Sequence, residues 1–241
     1  MSDLLQANTA NLLLRALPPE AFALLQQSMQ RIELPLKFDL IVPDVETNLV
    51  YFLERGLGSL VATNADDESV EVGHIGHEGM TGSHVLLKVG QTPNKAFMQV
   101  EGSGISVPVV ALLSVVEQVP QANDLFLRYA HCCELQLAHS ALANGRYTMP
   151  ARLARWLLMC HDRLHDDDLP LTHEFLSLML GVRRSGVTNE IHVLEGIHAI
   201  KATRGNIRIL DRQKLEEIAG GSYGIPEDEY ERLIGFPLRR S

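Results

Sequence analysis

The residues whose types and spacing could do chemistry gather in two places. The first is the stretch 171–210, LTHEFLSLMLGVRRSGVTNEIHVLEGIHAIKATRGNIRIL. Arg183, Arg184, Ser185 and Thr188 fall at the start of a predicted helix there, and all four form hydrogen bonds. An arginine so placed can grip guanine O6 and N7 with both arms of its fork, and a helix start of this kind fits the DNA major groove. Thr172, Lys201 and Arg204 lie around it. They suit phosphate oxygens, contacts that position a protein on a duplex without specifying sequence. The competing account of these residues is solvated charge on a helical hairpin. The second place holds His74, His77, Glu78 and His84, a cluster that invites a metal or haem. Its spacing is neither a helical zinc pair nor a double-histidine strand motif. Polar residues at strand turns are the simpler account, so no metal ligand and no cofactor is assigned. No Ser/His/Asp or Cys/His set can be argued, so no catalytic residue is assigned and the chain does not read as an enzyme.

Elements must hold these groups in place. Thr172 is a predicted N-cap, and a first helix runs to about Leu180 with Phe175, Leu176, Met179 and Leu180 inward. Gly181 supplies the turn that joins two helices steeply. The second helix starts near Arg183 and sets Val187, Ile191 and Leu194 on one face. After Gly196, residues 197–201 and 207–210 alternate as two strands around Arg204-Gly205-Asn206. That hairpin reads as a wing, and the whole as a winged helix-turn-helix.

Upstream, residues 11–30 read as helix, restarting at Pro18-Pro19, with the second proline tolerated in a first turn. From Ile32 to about Val109 the texture is short β-favouring runs (40–42, 49–53, 59–61, 69–72, 97–100 and 105–107) separated by Gly, Asn and Asp. Many short strands at such spacing predict an antiparallel roll or jelly roll. Leu125, Phe126, Tyr129, Cys132, Cys133, Leu135, Leu137, Ala138, Ala141 and Leu142 then step by threes and fours, which predicts a long helix over about 121–144. Asn144-Gly145 reads as its stop and as a hinge. Residues 149–163 form a further helix with the only Trp, Trp156, and Asp166-Asp167-Asp168 reads as a solvated acidic turn. The fold class is therefore α+β in three parts: a β-roll unit over 1–120, a long helix over 121–144, and a winged helix-turn-helix with its tail over 145–241.

Composition narrows the class. Of 241 residues, 46% are hydrophobic, enough for real cores. No run approaches the roughly 18 apolar residues of a membrane helix, so no membrane partner is expected. The start, MSDLLQANTA, lacks the basic region of a signal peptide. Cys132, Cys133 and Cys160 make no disulfide framework, which suits a reducing cytoplasm, and they fall short of the four ligands of an iron–sulfur cluster. Cys132 and Cys133 read instead as helix packing. The net charge of −9 at first argues against nucleic acid. Its distribution argues otherwise: residues 1–171 carry 11 Lys/Arg and 20 Asp/Glu, whereas residues 172–212 carry 6 and 4. A phosphate-binding face needs only local positive potential.

Three blocks together resemble the Crp/Fnr superfamily of bacterial transcription regulators. VYFLERGLGSLVAT (50–63) is similar to that family's strand–turn–strand with a corner glycine, VGHIGHEGMTG (72–82) to its glycine-marked roll segment, and 171–210 to its winged helix-turn-helix. The order of roll, long helix and DNA-binding unit is also the family's. The resemblance implies a homodimer paired through the long helix. It further implies a palindromic double-stranded DNA site with half-sites about one helical turn apart, and RNA polymerase as a further partner. By position, Arg184 matches the family's base-contacting arginine. The member that responds to cyclic AMP has an acidic residue next and a second arginine four positions beyond. Those places hold Ser185 and Asn189 here, so a different operator is implied.

The resemblance also implies an effector pocket at Gly76, Glu78, Gly79, Asn94, Lys95 and Ala96. The family's phosphate cassette opens with Gly-Glu and closes with an arginine ahead of Ser/Thr and Ala. Here Asn94 or Lys95 occupies the arginine position, and Lys95 stands 17 residues after Glu78, a longer span than the family's. Lysine offers a point charge where arginine offers a planar fork. The expectation is a regulator whose effector is not cyclic AMP. A haem- or metal-sensing regulator of the same fold and a cupin-like metalloenzyme stand as alternatives.

Overall fold

Glycine sets the bend of the N-terminal sheet. In the computed structural model, which describes residues 4–240, β3 (Leu49–Thr63) and β5 (Lys95–Pro108) are 15 and 14 residues long. They pair antiparallel along their length, with register shifts between Leu53 and Gly58. Gly56 sits there at φ +84°, where a Cβ would fall 2.7 Å from the Val100 carbonyl oxygen and 2.8 Å from that of Glu101. No other residue could turn this corner. The sequence reading has four short strands over this stretch; the structure joins them in pairs, because a glycine inside a long strand marks a bend rather than an end.

β1 (Gln30–Leu34) and β4 (Ser69–Ile75) complete the order β1-β5-β3-β4, and β2 (Asp39–Ile41) also pairs with β5. Ahead of the sheet lie α1 (Leu12–Ala16) and α2 (Pro19–Gln26). The helical reading of 11–30 therefore stops short, and Gln30 already belongs to a strand. Asn11 caps α1, its Oδ1 accepting the Leu14 N–H at 3.0 Å. The short α3 (Ser83–Leu86) and then α4 (Val109–Gln118) lead to α5 (Pro120–Arg146).

The inner face of α5 buries Leu125, Phe126, Tyr129 and Cys132 against Val50, Phe52, Met80 and Ile105 of the roll. Burial of a large apolar side chain contributes about 1.5–3 kcal/mol. Tyr129 also pins the backbone: its hydroxyl accepts the Met80 N–H and donates to the Met80 carbonyl, both at 3.0 Å. The ring passes over Gly79 so closely that a Cβ there has no room. On the outer face Leu127, Leu137, Ala138, Ala141 and Leu142 are exposed. The helix runs through Asn144-Gly145, its expected stop, because Gly145 takes no left-handed conformation. The break comes at Tyr147, which is extended (φ −106°, ψ 151°).

The second hydrophobic cluster is built on α6 (Met149–Leu164), which buries Leu153, Trp156, Leu157 and Cys160. α7 (His173–Leu180) and α8 (Arg184–Gly196) pack on it, and β7 (Ile200–Thr203) and β8 (Asn206–Ile209) form the wing. The acidic turn is not free: Asp168 and Leu169 form β6, a third strand beside β8. Asp168 pairs with Arg208 and accepts Asn206 Nδ2 at 2.8 Å. After α9 (Arg212–Ala219), α10 (Ile225–Ile234) crosses back to the first cluster. There Tyr230, Ile234 and Leu238 pack with Leu125 and Phe126. Among the described residues no helix is long and apolar enough to cross a membrane.

Candidate nucleic-acid interface and sensor cavity

The helix-turn-helix rests on local rules. Thr172 Oγ1 accepts the Phe175 N–H at 3.2 Å and caps α7. Gly181 closes the helix at φ +62°, a left-handed conformation that glycine adopts without strain. Arg183 is the N-cap of α8, and Val187, Ile191 and Leu194 hold that helix to the core. The opposite face presents Arg184, Ser185 and Asn189, all exposed. Thr188 is half-buried: its hydroxyl donates to the Arg184 carbonyl and meets His173 Nδ1, each at 3.2 Å, which ties α7 to α8. His192 and Val193 extend the exposed face of α8. The sequence reading passed over them, although they lie four residues beyond Thr188 and Asn189. Lys201 and Arg204 are exposed on the wing, whose tip is Gly205 at φ +76°.

Local charge follows from who is paired. In this unit ion pairs take up Arg208, Arg212 and Lys214. Among the described residues Arg183, Arg184, Lys201 and Arg204 enter none. Four unneutralised cations thus surround the start of α8 and the wing, in a chain of net charge −9.

The candidate pocket residues of the roll are not brought together. Glu78 is buried at the contact with α6, where Arg163 Nε donates to its Oε1 at 2.8 Å and the Gly76 N–H to its Oε2 at 3.0 Å. Burial pushes the Glu78 carboxyl up, but Arg163, His77 and these hydrogen bonds outweigh it and hold the group below its usual range. Gly76 is crowded by the same arginine, whose Cβ would lie 2.8 Å from a Cβ at that position. Gly79 lies under Tyr129. On β5, Ala96 is buried, whereas Lys95 turns outward to Asp39 at 2.9 Å. Asn94 alone of the six lines a roll cavity of about 140 Å³, with Ile41, Leu60, Met80, His84 and Leu137.

The histidines disperse as well. His74 pairs with Glu71 and stacks edge-on to Trp156, and His84 Nε2 bonds Thr47 Oγ1 at 3.0 Å. His77 Nε2 faces His165 Nε2 at 3.1 Å across the contact between roll and α6. Among the described residues no three His, Cys, Asp or Glu side chains gather as a metal site. Cys132 is buried, and burial pushes its thiol up to about 11.

The family model of the Crp-like helix-turn-helix domain matches residues 151–218. Residues 151–218 are a Crp-like helix-turn-helix domain. The rest of the chain agrees in fold, as the solved structures show. FixK2 from Bradyrhizobium japonicum superposes with a TM-score of 0.68 at 15% identity, over 80% of this chain and 98% of that one. CLP from Xanthomonas campestris, a c-di-GMP-responsive global regulator, gives 0.65 at 13% identity, over 80% and 99%. A Crp-family transcriptional regulator from Thermus thermophilus gives 0.62 at 19% identity, over 79% and 96%. No curated protein matches the sequence. The expected Crp/Fnr resemblance and the α+β class hold: a roll, a long helix and a Crp-like domain follow one another. Within residues 151–218, α8 is the second helix of the helix-turn-helix, and the wing follows it directly.

Proposed function

We propose that the protein is a sequence-specific, DNA-binding transcription regulator acting as a homodimer. The observation that carries the reading is the unpaired, exposed set Arg184, Ser185 and Asn189 on α8, flanked by Lys201 and Arg204 on the wing. Arg184 reads a guanine; Arg183, Thr172, Lys201 and Arg204 hold phosphates; Ser185, Thr188 and Asn189 complete the groove face. The exposed face of α5 around Leu137 and Leu142 pairs with its copy. Two α8 helices then meet a palindromic site one turn apart. Such a regulator works in the cytoplasm and answers to RNA polymerase.

The effector of the roll is not a cyclic nucleotide. A cavity of about 140 Å³ is below the roughly 300–1,000 Å³ of pockets for drug-sized ligands. Glu78 is already matched by Arg163, and Lys95 faces solvent beside Asp39. A buried cyclic phosphate would lack the aligned charged partner it needs.

Selecting fragments from random DNA with the purified protein tests the reading, and an inverted repeat is the expected product. Arg184→Ala should then cost about 1–3 kcal/mol on the selected site and much less on random DNA. Equal losses on both would make Arg184 a phosphate contact only.

A further inference from the structure

Between the roll and α7 lies a cleft of about 1220 Å³. One wall is sheet, with Val70 and Phe97, extended by Leu36 from the turn between β1 and β2; the other is helix and turn, with Phe175, Leu178 and Val182. Phe97 and Phe175 meet across it, with ring centroids 6.0 Å apart and planes at 40°. Both rings are half-buried, and Leu36 is 53% exposed. These walls keep apolar surface in water that closer packing of the two units would have removed.

The polar groups of the cleft have an unanswered donor. Gln99, 2% exposed, lies two residues from Phe97 on the same face of β5 and also lines the cleft. Its Oε1 accepts the Ser59 hydroxyl at 2.6 Å, while its Nε2 is buried with no partner. A buried donor without an acceptor is costly, so such groups ordinarily find one. Lys37 stands beside it, its N–H bonded to the Met98 carbonyl at 2.8 Å. Its ammonium, like the Arg183 guanidinium on the far rim, enters no ion pair among the described residues. The cleft's carboxylates are Glu68, which accepts Asn64 Nδ2 at 2.9 Å, and Glu174 in the first turn of α7.

We propose that this cleft binds a medium-sized apolar carboxylic acid. Its hydrocarbon or aromatic body lies against Phe97, Phe175, Leu178 and Val182, and its carboxylate accepts from Gln99 Nε2 and Lys37 Nζ. The site is distinct from the roll cavity, with which it shares no lining residue. A consequence resting on the DNA-binding reading is regulation. Thr172 and Arg183 line the same cleft, so an acid seated there crowds two residues that hold phosphates and opposes DNA.

Titration calorimetry of the full chain tests this, with decanoate as the probe and decyltrimethylammonium as its charge-reversed control. Decanoate should bind once per chain and at least about tenfold more tightly than the cation. Leu178→Trp and Val182→Trp fill the cleft from two sides; whichever keeps the wild-type melting curve should bind neither. Gln99→Leu and Lys37→Ala should erase most of the preference for the acid. Decanoate binding unchanged by cleft filling, or no preference over the cation, overturns the proposal. On selected DNA, decanoate should weaken wild-type binding at least about fivefold and Gln99→Leu binding little. A chain that binds decanoate at the cleft but no DNA sinks the regulator reading alone. One that binds DNA but no decanoate sinks the cleft alone.

Discussion

Glu78 and Arg163 form the contact on which the joint between roll and winged unit should depend most. Their side chains are 4% and 2% exposed, and the guanidinium also donates to the Met159 carbonyl at 3.0 Å. Tyr230 adds the C-terminal helix to the same point, its hydroxyl donating to the Glu78 carbonyl at 2.6 Å. Glu78→Leu removes the carboxylate and leaves a buried guanidinium without its nearest countercharge. Breaking one side of such a pair costs about 3–5 kcal/mol. The lower end applies here, because Glu227 and Asp162 still attract Arg163. A loss of about 3 kcal/mol is about two powers of ten in the unfolding equilibrium. It should lower the melting temperature by about 6–12 °C for a chain of this length. Arg163→Met should cost as much, for the mirrored reason. The double change Glu78→Leu/Arg163→Met should come within about 1 kcal/mol of wild type, since replacing both members of a buried pair with apolar groups is often neutral. Urea denaturation read by circular dichroism gives all four corners of the cycle. Single losses below about 1 kcal/mol, or a double variant that loses the sum of the two, would refute the reasoning.

Three further outcomes follow from the same structure. Leu137→Asp/Leu142→Asp should turn a dimer into a monomer by light scattering and weaken operator binding, because a dimer engages two half-sites as one event; a wild-type monomer at micromolar concentration contradicts this. His77, His84 and His161 are each held below the usual imidazole range, by burial above all. Their neutral forms are therefore the native ones, and stability should be full above about pH 6.5 and fall below it, as the unfolded chain takes up protons that the native chain refuses. His77→Gln should flatten that fall in urea midpoints measured from pH 7 to 5, and an unchanged slope would remove His77 from the account. Calorimetry with cyclic AMP and cyclic GMP should give weak or no binding; micromolar binding abolished by Lys95→Ala would restore the cyclic-nucleotide reading.

The elements that were legible in the sequence are those specified by neighbours in the chain. Thr172 caps, Gly181 turns, and Val187, Ile191 and Leu194 recur at helical spacing, so the helix-turn-helix could be drawn from some thirty residues. Gly205 marked the wing in the same way, and Gly56 the corner of the roll, because a positive φ is a local demand that glycine meets. The exposed cations at the start of α8 were legible too, since a helix start and its burial pattern fix which side chains face water. Other features depended on partners far away in the chain. Glu78 was read as the start of a phosphate cassette, but Arg163, 85 residues on, occupies its carboxylate. Nothing in the spacing of either residue announces the other. Asp168 was read as loop until Ile207 and Arg208 paired with its neighbourhood as a third wing strand. The tail carried no pattern that told where α10 would go; Tyr230 reaches the Glu78 carbonyl across 152 residues. Helix and turn signals act over one to four residues, through backbone geometry and hydrogen bonding. Which buried charge meets which, and which apolar face is left open as a cleft, is decided by desolvation and close packing after the chain has folded back on itself.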